Sequence, residues 1–402
     1  MNILFLTLVK IKSLSERGIY TDLLRKFKEE GNEVFVVSPS ERRDKKSTFL
    51  SKDEGVSILN VRTFNLQKTN IVEKGIGTLA IEFQYLNAIK KHFSTVKFDL
   101  VLYSTPPITF SKVISFVKKR DNAYAYLLLK DIFPQNAVDM KMLKKGGALH
   151  KMFLKKERRL YALSDTIGCM SEANRKYVIT HNPTIEPKKV EINPNSISAI
   201  TNIQTLGENQ SIKAKYGLPL DKKVFVYGGN LGKPQGLDFL LETITATTNS
   251  KVFFLVVGSG TEYNRIYKWF QTNQPKNAKL LAGLPKQDYD LLLNACDVGL
   301  IFLHKDFTIP NFPSRLLSYL EMRMPVIAAT DVHTDIGSVI EKNKCGFRVE
   351  SGDIEGMKSA IDIICDDNNQ YDVMKENAWN LLQREYDVKY SYNLINDKLI
   401  NV

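Results

Sequence analysis

The segment IPNFPSRLLSYLEMRMPVIA, residues 309–328, places a serine and an arginine where a helix should begin. Pro310 and Pro313 stop the preceding chain, and Ser314 follows where it can offer a hydroxyl and unpaired backbone N–H groups. Leu316, Leu317 and Leu320 recur at helical spacing, so one face packs while Arg315 and Ser318 share another. A helix start carries partial positive charge and Arg315 adds a fixed cation, a combination that suits a diphosphate. An ordinary amphipathic helix with a surface arginine is the plainer reading of the same residues.

Two more stretches carry candidate chemistry. The turn YGGNLG, residues 227–232, follows an apolar run, and its glycines let backbone approach a ligand closely. It is not GxGxxG with an acidic residue downstream, so a nicotinamide dinucleotide is not supported. The run LLLKDIFP ends a predicted strand at Asp131, and ligands of parallel sheets bind outside the carboxyl ends of strands. Asp131 is therefore placed for a sugar or an acceptor, although Asp before a strand-ending Pro is also a common loop residue. Glu172 follows another predicted strand and reads equally as a substrate carboxylate or as a helix-start acid. The five histidines are scattered without metal or triad spacing.

The elements that must hold these residues alternate. Apolar runs at 3–9, 34–38, 99–104, 125–129 and 166–170 predict parallel strands covered on both faces, with helices between them. A loop ending at Gly18 leads into an amphipathic helix closed by Gly31. After Asn193-Pro194-Asn195 the chain turns polar in TNIQTLGENQ, which reads as a linker. A second series follows at 224–227, 253–257, 278–281, 298–302 and 326–329. The pattern predicts an α/β protein of two Rossmann-like parallel-sheet domains facing a cleft, 1–195 and 196–377. The length of 402 residues agrees, since it exceeds one ordinary core.

Composition is that of a globular chain, 43% hydrophobic and 25% charged, rather than a disordered one. No window reaches the apolar length of a membrane span, and the basic residues Lys10 and Lys12 follow the first apolar run instead of preceding it, unlike a signal peptide. Cys169, Cys296, Cys345 and Cys365 are too widely spaced to suggest zinc or a disulfide framework. A cytoplasmic protein is expected. The net charge of +12 calls for an anionic partner, and nucleic acid, membrane and phosphorylated substrate are the obvious ones. Between 141 and 159, Leu149, Met152, Phe153 and, just beyond, Leu160 recur at helical spacing among Lys151, Lys155, Lys156, Arg158 and Arg159. That pattern reads as a helix lying on an anionic membrane surface, or as a core helix with a basic back. FSKVISFVKKR, residues 110–120, could extend it. No helix-turn-helix, zinc-finger or RNA-binding signature is present, so nucleic acid is not expected.

PSRLLSYLEMRMPVIAATD resembles the signature of glycosyltransferase family 4, sugar-nucleotide enzymes of the GT-B fold. KDIFPQNAVDMKML, VFVYGGNLGKPQGLDFLLE, FFLVVGSGTEY and LAGLPKQDYDLLLNACDVGLIFL fit the same family in the same order. The chain is similar to the branch containing N-acetyl-L-fucosamine transferases of capsule and O-antigen clusters. The resemblance implies metal-independent, retaining transfer from a UDP-sugar to a polyprenyl-diphosphate-linked saccharide, with no cofactor, at the inner face of the cell membrane. It also implies a C-terminal segment, 378–402, packing back on the first domain. Arg315, Lys233 and Asp131 would carry the chemistry. Gly18, Glu172, Gly229, Asn230, Gly232, Gln235, Gly258, Leu284, Ser314 and Ser318 would contact the substrates. Many family members hold an Arg and a Lys where Asn230 and Gln235 stand, and a Glu where this chain has Ser318. A sugar-nucleotide 2-epimerase and a non-catalytic GT-B partner subunit remain as alternatives.

Overall fold

The computed structural model describes residues 1–66, 71–200 and 206–400. The chain divides into two compact units, one formed by Met1–Ser198 with Asp387–Val402 and the other by Ala199–Tyr386. Of the expected linker, residues 201–205 lie outside the described residues, and from Leu206 the chain is helical.

The first unit is built on β1 (Asn2–Leu6), β2 (Glu33–Glu41), β3 (Phe49–Asp53), β4 (Val56–Thr63), β5 (Leu100–Ser104), β6 (Tyr124–Leu129), β7 (Thr166–Cys169) and β8 (Val190–Ile192). They form one sheet in the order β3-β4-β2-β1-β5-β6-β7-β8. Every neighbour pairs in parallel except β3 with β4. The central strands are apolar throughout because helices cover both faces, and each buried Leu or Ile contributes about 1.5–3 kcal/mol. The β3–β4 hairpin escaped the apolar-run criterion, because β3 alternates half-buried and exposed residues at the sheet edge. The helix Ile19–Glu29 turns Leu23, Leu24 and Phe27 inward. It ends as Gly31 requires: the N–H of Asn32 bonds the carbonyl of Phe27 and that of Gly31 the carbonyl of Lys28, with Gly31 at φ 81.

The helix Val388–Ile400 completes this unit by laying Val388, Tyr392 and Ile395 against the Leu23, Leu24 and Phe27 cluster. The return begins at Asp387 and not at 378. Residues 378–386 stay with the second unit because Ala378, Leu381 and Leu382 are buried, Arg323 covers the Trp379 ring, and Tyr386 meets Phe312. A buried chain of hydrogen bonds locks the returning helix to the sheet. Ser391 Oγ donates to Asn193 Oδ1 (2.7 Å), Asn193 Nδ2 to the Tyr126 hydroxyl (2.8 Å), and that hydroxyl to Glu191 (2.8 Å). Lys398 pairs with Glu191 at 2.7 Å.

The second unit holds β9 (Lys223–Asn230), β10 (Val252–Ser259), β11 (Ala278–Ala282), β12 (Val298–Phe302), β13 (Val326–Thr330) and β14 (Gly346–Glu350). All pair in parallel, in the order β11-β10-β9-β12-β13-β14. From β9 the chain first builds outward through β10 and β11, then returns to place β12 on the other side. The sheet order therefore reverses between β9 and β12, the place where open α/β sheets bind ligands.

Removing the Ser391 hydroxyl leaves a buried amide oxygen unpaired. Ser391→Ala is expected to cost about 1–2 kcal/mol of unfolding free energy, read from urea denaturation of the full chain.

Candidate functional site

The strands β9 and β12 pair only at Val298 with Phe225 and Gly299 with Val226, then part. Tyr319, from the helix Arg315–Glu321, fills the opening. Its hydroxyl donates toward the carbonyls of Leu300 (3.1 Å) and Val226 (3.3 Å) and accepts the N–H of Gly228 (3.2 Å). A side chain at Gly299 would strike the Tyr319 ring, which explains a glycine within a buried strand.

One turn back along the same helix, Arg315 extends over the face of Tyr227, with 4.4 Å from guanidinium to ring centroid. Nη2 donates to the amide oxygen of Gln235, and Nη1 is shielded from solvent without a hydrogen-bond partner. No carboxylate lies within ion-pair distance of Arg315 among the described residues. Burial works against its charge, and the phenol oxygens of Tyr227, Tyr319 and Tyr289 act in its favour and keep it raised. The same burial lifts Tyr319 to about 12. The result is a half-buried cation with no carboxylate beside it among the described residues.

The glycine turn borders this cation. The strand β9 runs on through Asn230, beyond the residue-227 end that the apolar run suggested. Gly229 has φ 119, which favours glycine, and its missing side chain would point at the Arg315 guanidinium, 3.9 Å away. Gly258 pairs with Gly229 across β10 so closely that an added Cβ would lie 1.9 Å from its carbonyl oxygen. Gly258 therefore lets β10 approach the turn closely. The Asn230 amide lies against Gly232. Lys233 is exposed at the start of the turn Lys233–Gln235, whose last residue holds Arg315. Ser314 is exposed and makes no side-chain cap, so the helix gains no hydroxyl cap there, contrary to expectation. Ser318 and Leu284 are half-buried. Glu321, three residues beyond Ser318, is buried and accepts the N–H of Ile200 at 2.8 Å.

In the first unit Asp131 follows β6. Thr105 Oγ1 accepts the N–H groups of Lys130 and Asp131 at 3.1 and 3.3 Å and donates to the carbonyl of Asp131 at 3.0 Å, fixing the loop. The carboxylate of Asp131 takes a hydrogen bond from Asn136 at 2.7 Å, and burial raises it from 3.8 to about 6. Burial likewise lifts Glu157, bonded to Tyr161, to about 7. Gly18 precedes the helix Ile19–Glu29 with extended backbone, and its N–H and carbonyl are both bonded to that first turn. Glu172 heads the helix Glu172–His181 and pairs with Arg175 at 3.4 Å.

Within one unit the structure thus brings together Arg315, Gln235 and the glycine turn; Asp131, Glu172 and Gly18 belong to the other. Sequence reasoning missed Tyr227, Tyr289 and Tyr319. Tyr319 stands four residues after Arg315 and could have been read as sharing its face. Tyr289 gave no signal.

Residues 208–380 match the family model described as Glycosyl transferases group 1. The chain is similar to the probable glycosyltransferase WbjE of Pseudomonas aeruginosa, 24% identical over 306 residues, covering 74% of each chain. Among solved structures it shares its fold with sucrose-phosphate synthase from Thermosynechococcus elongatus, with a TM-score of 0.78 at 14% identity over 100% of this chain and 98% of that one. Anabaena HepE in complex with UDP and glucose gives a TM-score of 0.73 at 13% identity, over 100% of both chains. The architecture is GT-B, and the protein is a glycosyltransferase enzyme.

The raised Asp131 has a stability consequence. Its folded value of about 6 exceeds the ordinary 3.8, so its favourable contribution is complete below that ordinary value and falls away as pH rises toward about 6. Asp131→Asn should therefore be more stable than the parent by about 1–3 kcal/mol above pH ~6, with the difference vanishing near pH ~4. Urea denaturation at both pH values checks it.

Proposed function

We propose that the protein moves a sugar, an N-acetylated amino sugar such as N-acetyl-L-fucosamine, from a UDP-sugar to a polyprenyl-diphosphate-linked saccharide in capsule or O-antigen synthesis. The observation that carries the donor half is Arg315, half-buried over the Tyr227 ring, unpaired with any carboxylate among the described residues, and holding one unbonded nitrogen. A diphosphate supplies the missing charge. HepE, which shares the fold, binds UDP.

Departure of UDP builds negative charge on the diphosphate, so a cation already in place lowers the barrier without reorganising at the moment of reaction. Arg315 and the N–H groups of the 228–232 turn fill this role, with Lys233 as a mobile addition. Ser318 on the next turn of the helix takes the ribose hydroxyls where relatives use a carboxylate, a weaker neutral contact. Asp131 orients the sugar or acceptor in the first unit. The diphosphate itself helps to take the acceptor proton, as retention in family 4 implies. Gln235, standing where the family's lysine would be, holds Arg315 in place of contributing charge.

The acceptor half rests on the segment 141–159. The helix Ala148–Leu163 turns His150, Glu157, Leu160 and Tyr161 inward, and Phe153 packs edge-on against Phe133 at 5.0 Å. Leu160 thus leaves the apolar stripe that spacing suggested. Met142 and Leu149 stay 71% and 59% exposed beside the exposed Lys151, Lys155, Arg158 and Arg159. That combination suits an anionic bilayer surface. The run 110–120 does not extend it: Val113, Ile114 and Val117 are buried, Lys118 pairs with Asp165, and Arg120 with Asp121. No helix among the described residues is long and apolar enough to cross a membrane.

Arg315→Ala should keep the fold, weaken UDP binding by about 10–100-fold in calorimetry, and lower turnover by about 100-fold or more. Unchanged UDP affinity would remove Arg315 from the donor site. Reversing Lys151 and Lys155 to Glu should release the protein from vesicles containing phosphatidylglycerol, since each basic residue there is worth about 1 kcal/mol. Flotation that is indifferent to both the reversal and lipid charge would overturn the membrane reading.

A further inference from the structure

Lys130 follows the last residue of β6 and precedes Asp131. Its ammonium meets one protein group among the described residues, the carbonyl of Asn193 at 3.5 Å. No carboxylate lies within ion-pair distance of it among the described residues, and the neighbouring Asp131 is bonded to Asn136 instead. The ionisable group acting on it is the Cys169 thiol at the end of β7, itself pushed up to about 12 by burial and so uncharged. Beyond that thiol stand Glu172 and Arg175, already paired with each other.

Hydrogen bonds hold the chain on either side of the Lys130 ammonium. Thr105 Oγ1 holds its backbone N–H, and the Asn193 N–H bonds the Cys169 carbonyl at 2.8 Å. The Asn193 side chain is fixed by Tyr126 and by Ser391 of the returning helix. All of this lies at the carboxyl ends of β6, β7 and β8, the binding edge of a parallel sheet. Burial without a counter-charge lowers Lys130 to about 7.

We propose that Lys130 binds an anionic group of the acceptor, a phosphate or a carboxylate, in a subsite built by the first unit alone. The proposal rests on the transferase reading only for the identity of the acceptor. A neutral sugar hydroxyl would leave the ammonium uncompensated, whereas anionic oxygens supply the charge and fill its unused N–H donors. Each unit thus carries one half-buried cation with no carboxylate within ion-pair distance among the described residues. They differ in one measurable respect, because a guanidinium stays protonated through neutral pH while Lys130 takes up a proton when an anion arrives.

The test uses the full chain with its lysines reductively methylated with 13C-formaldehyde, and NMR titration of the dimethyl-lysine signals. Lys130→Arg assigns the Lys130 signal by deleting it. Sulfate, which does not titrate near neutrality, and glucuronate serve as probes for the phosphate-like and carboxylate sources. The Lys130 signal should titrate near neutrality in the free protein, and the probe resembling the true group should raise its midpoint by about one unit or more. A signal that titrates at the ordinary lysine value, shifts with neither probe, or is never methylated overturns the proposal. Thermal shift supplies an independent reading: Lys130→Met should lose the parent's sulfate stabilisation at the Lys130 subsite, and Arg315→Ala should keep the NMR response. Failure of UDP to bind the parent would remove the donor reading while leaving the Lys130 titration to stand or fall by itself.

Discussion

The Tyr319 hydroxyl, set where β9 and β12 part, is the contact on which the donor-side geometry depends. Parallel strands that separate expose backbone donors and acceptors, and buried ones must be satisfied. Tyr319 meets the N–H of Gly228 and the carbonyls of Val226 and Leu300 with one oxygen. In doing so it pins the helix Arg315–Glu321 to the sheet and carries Arg315 to the ring of Tyr227. The glycine turn can then remain bare, because the polar filling comes from the neighbouring helix.

A half-buried charge without a counter-charge is costly, and Arg315 and Lys130 are two such groups among the described residues. Arg315 is supported by aromatic faces and an amide oxygen, which ease its burial without neutralising it. Lys130 and Asp131 are adjacent in sequence yet displaced in opposite directions by the same cause, to about 7 and about 6. Groups moved toward neutrality by burial suit binding and proton handling, and they lower stability where the charged form prevails.

The first unit shows how distant sequence completes a local site. The β8 strand is only Val190–Ile192, too short to hold its own exit loop. Ser391, nearly two hundred residues later, fixes Asn193, and Asn193 in turn faces Lys130. The returning helix is thus part of the binding edge as well as of the core, where Tyr392 meets Phe27 edge-on at 4.9 Å.

The alternation of buried strands and helices, the number of sheets and the family motifs were legible in the chain itself, since strand periodicity, helix stops such as Gly31 and motif spacing are local properties. Arg315 and the glycine turn were legible for the same reason. What surrounds them was not. Tyr227, Gln235 and Tyr289 come to Arg315 from other segments of the second unit, and only the tertiary structure brings them together. The inward face of the helix Ala148–Leu163 was likewise undecided by spacing, because Leu149 and Leu160 look alike in sequence and differ only in what covers them. The hairpin of β3 and β4, the return at Asp387 and the burial of Lys130 also belong to tertiary structure. Their common reason is physical: covalent sequence sets which groups are present and how they repeat, whereas desolvation and partner choice depend on neighbours that folding alone supplies.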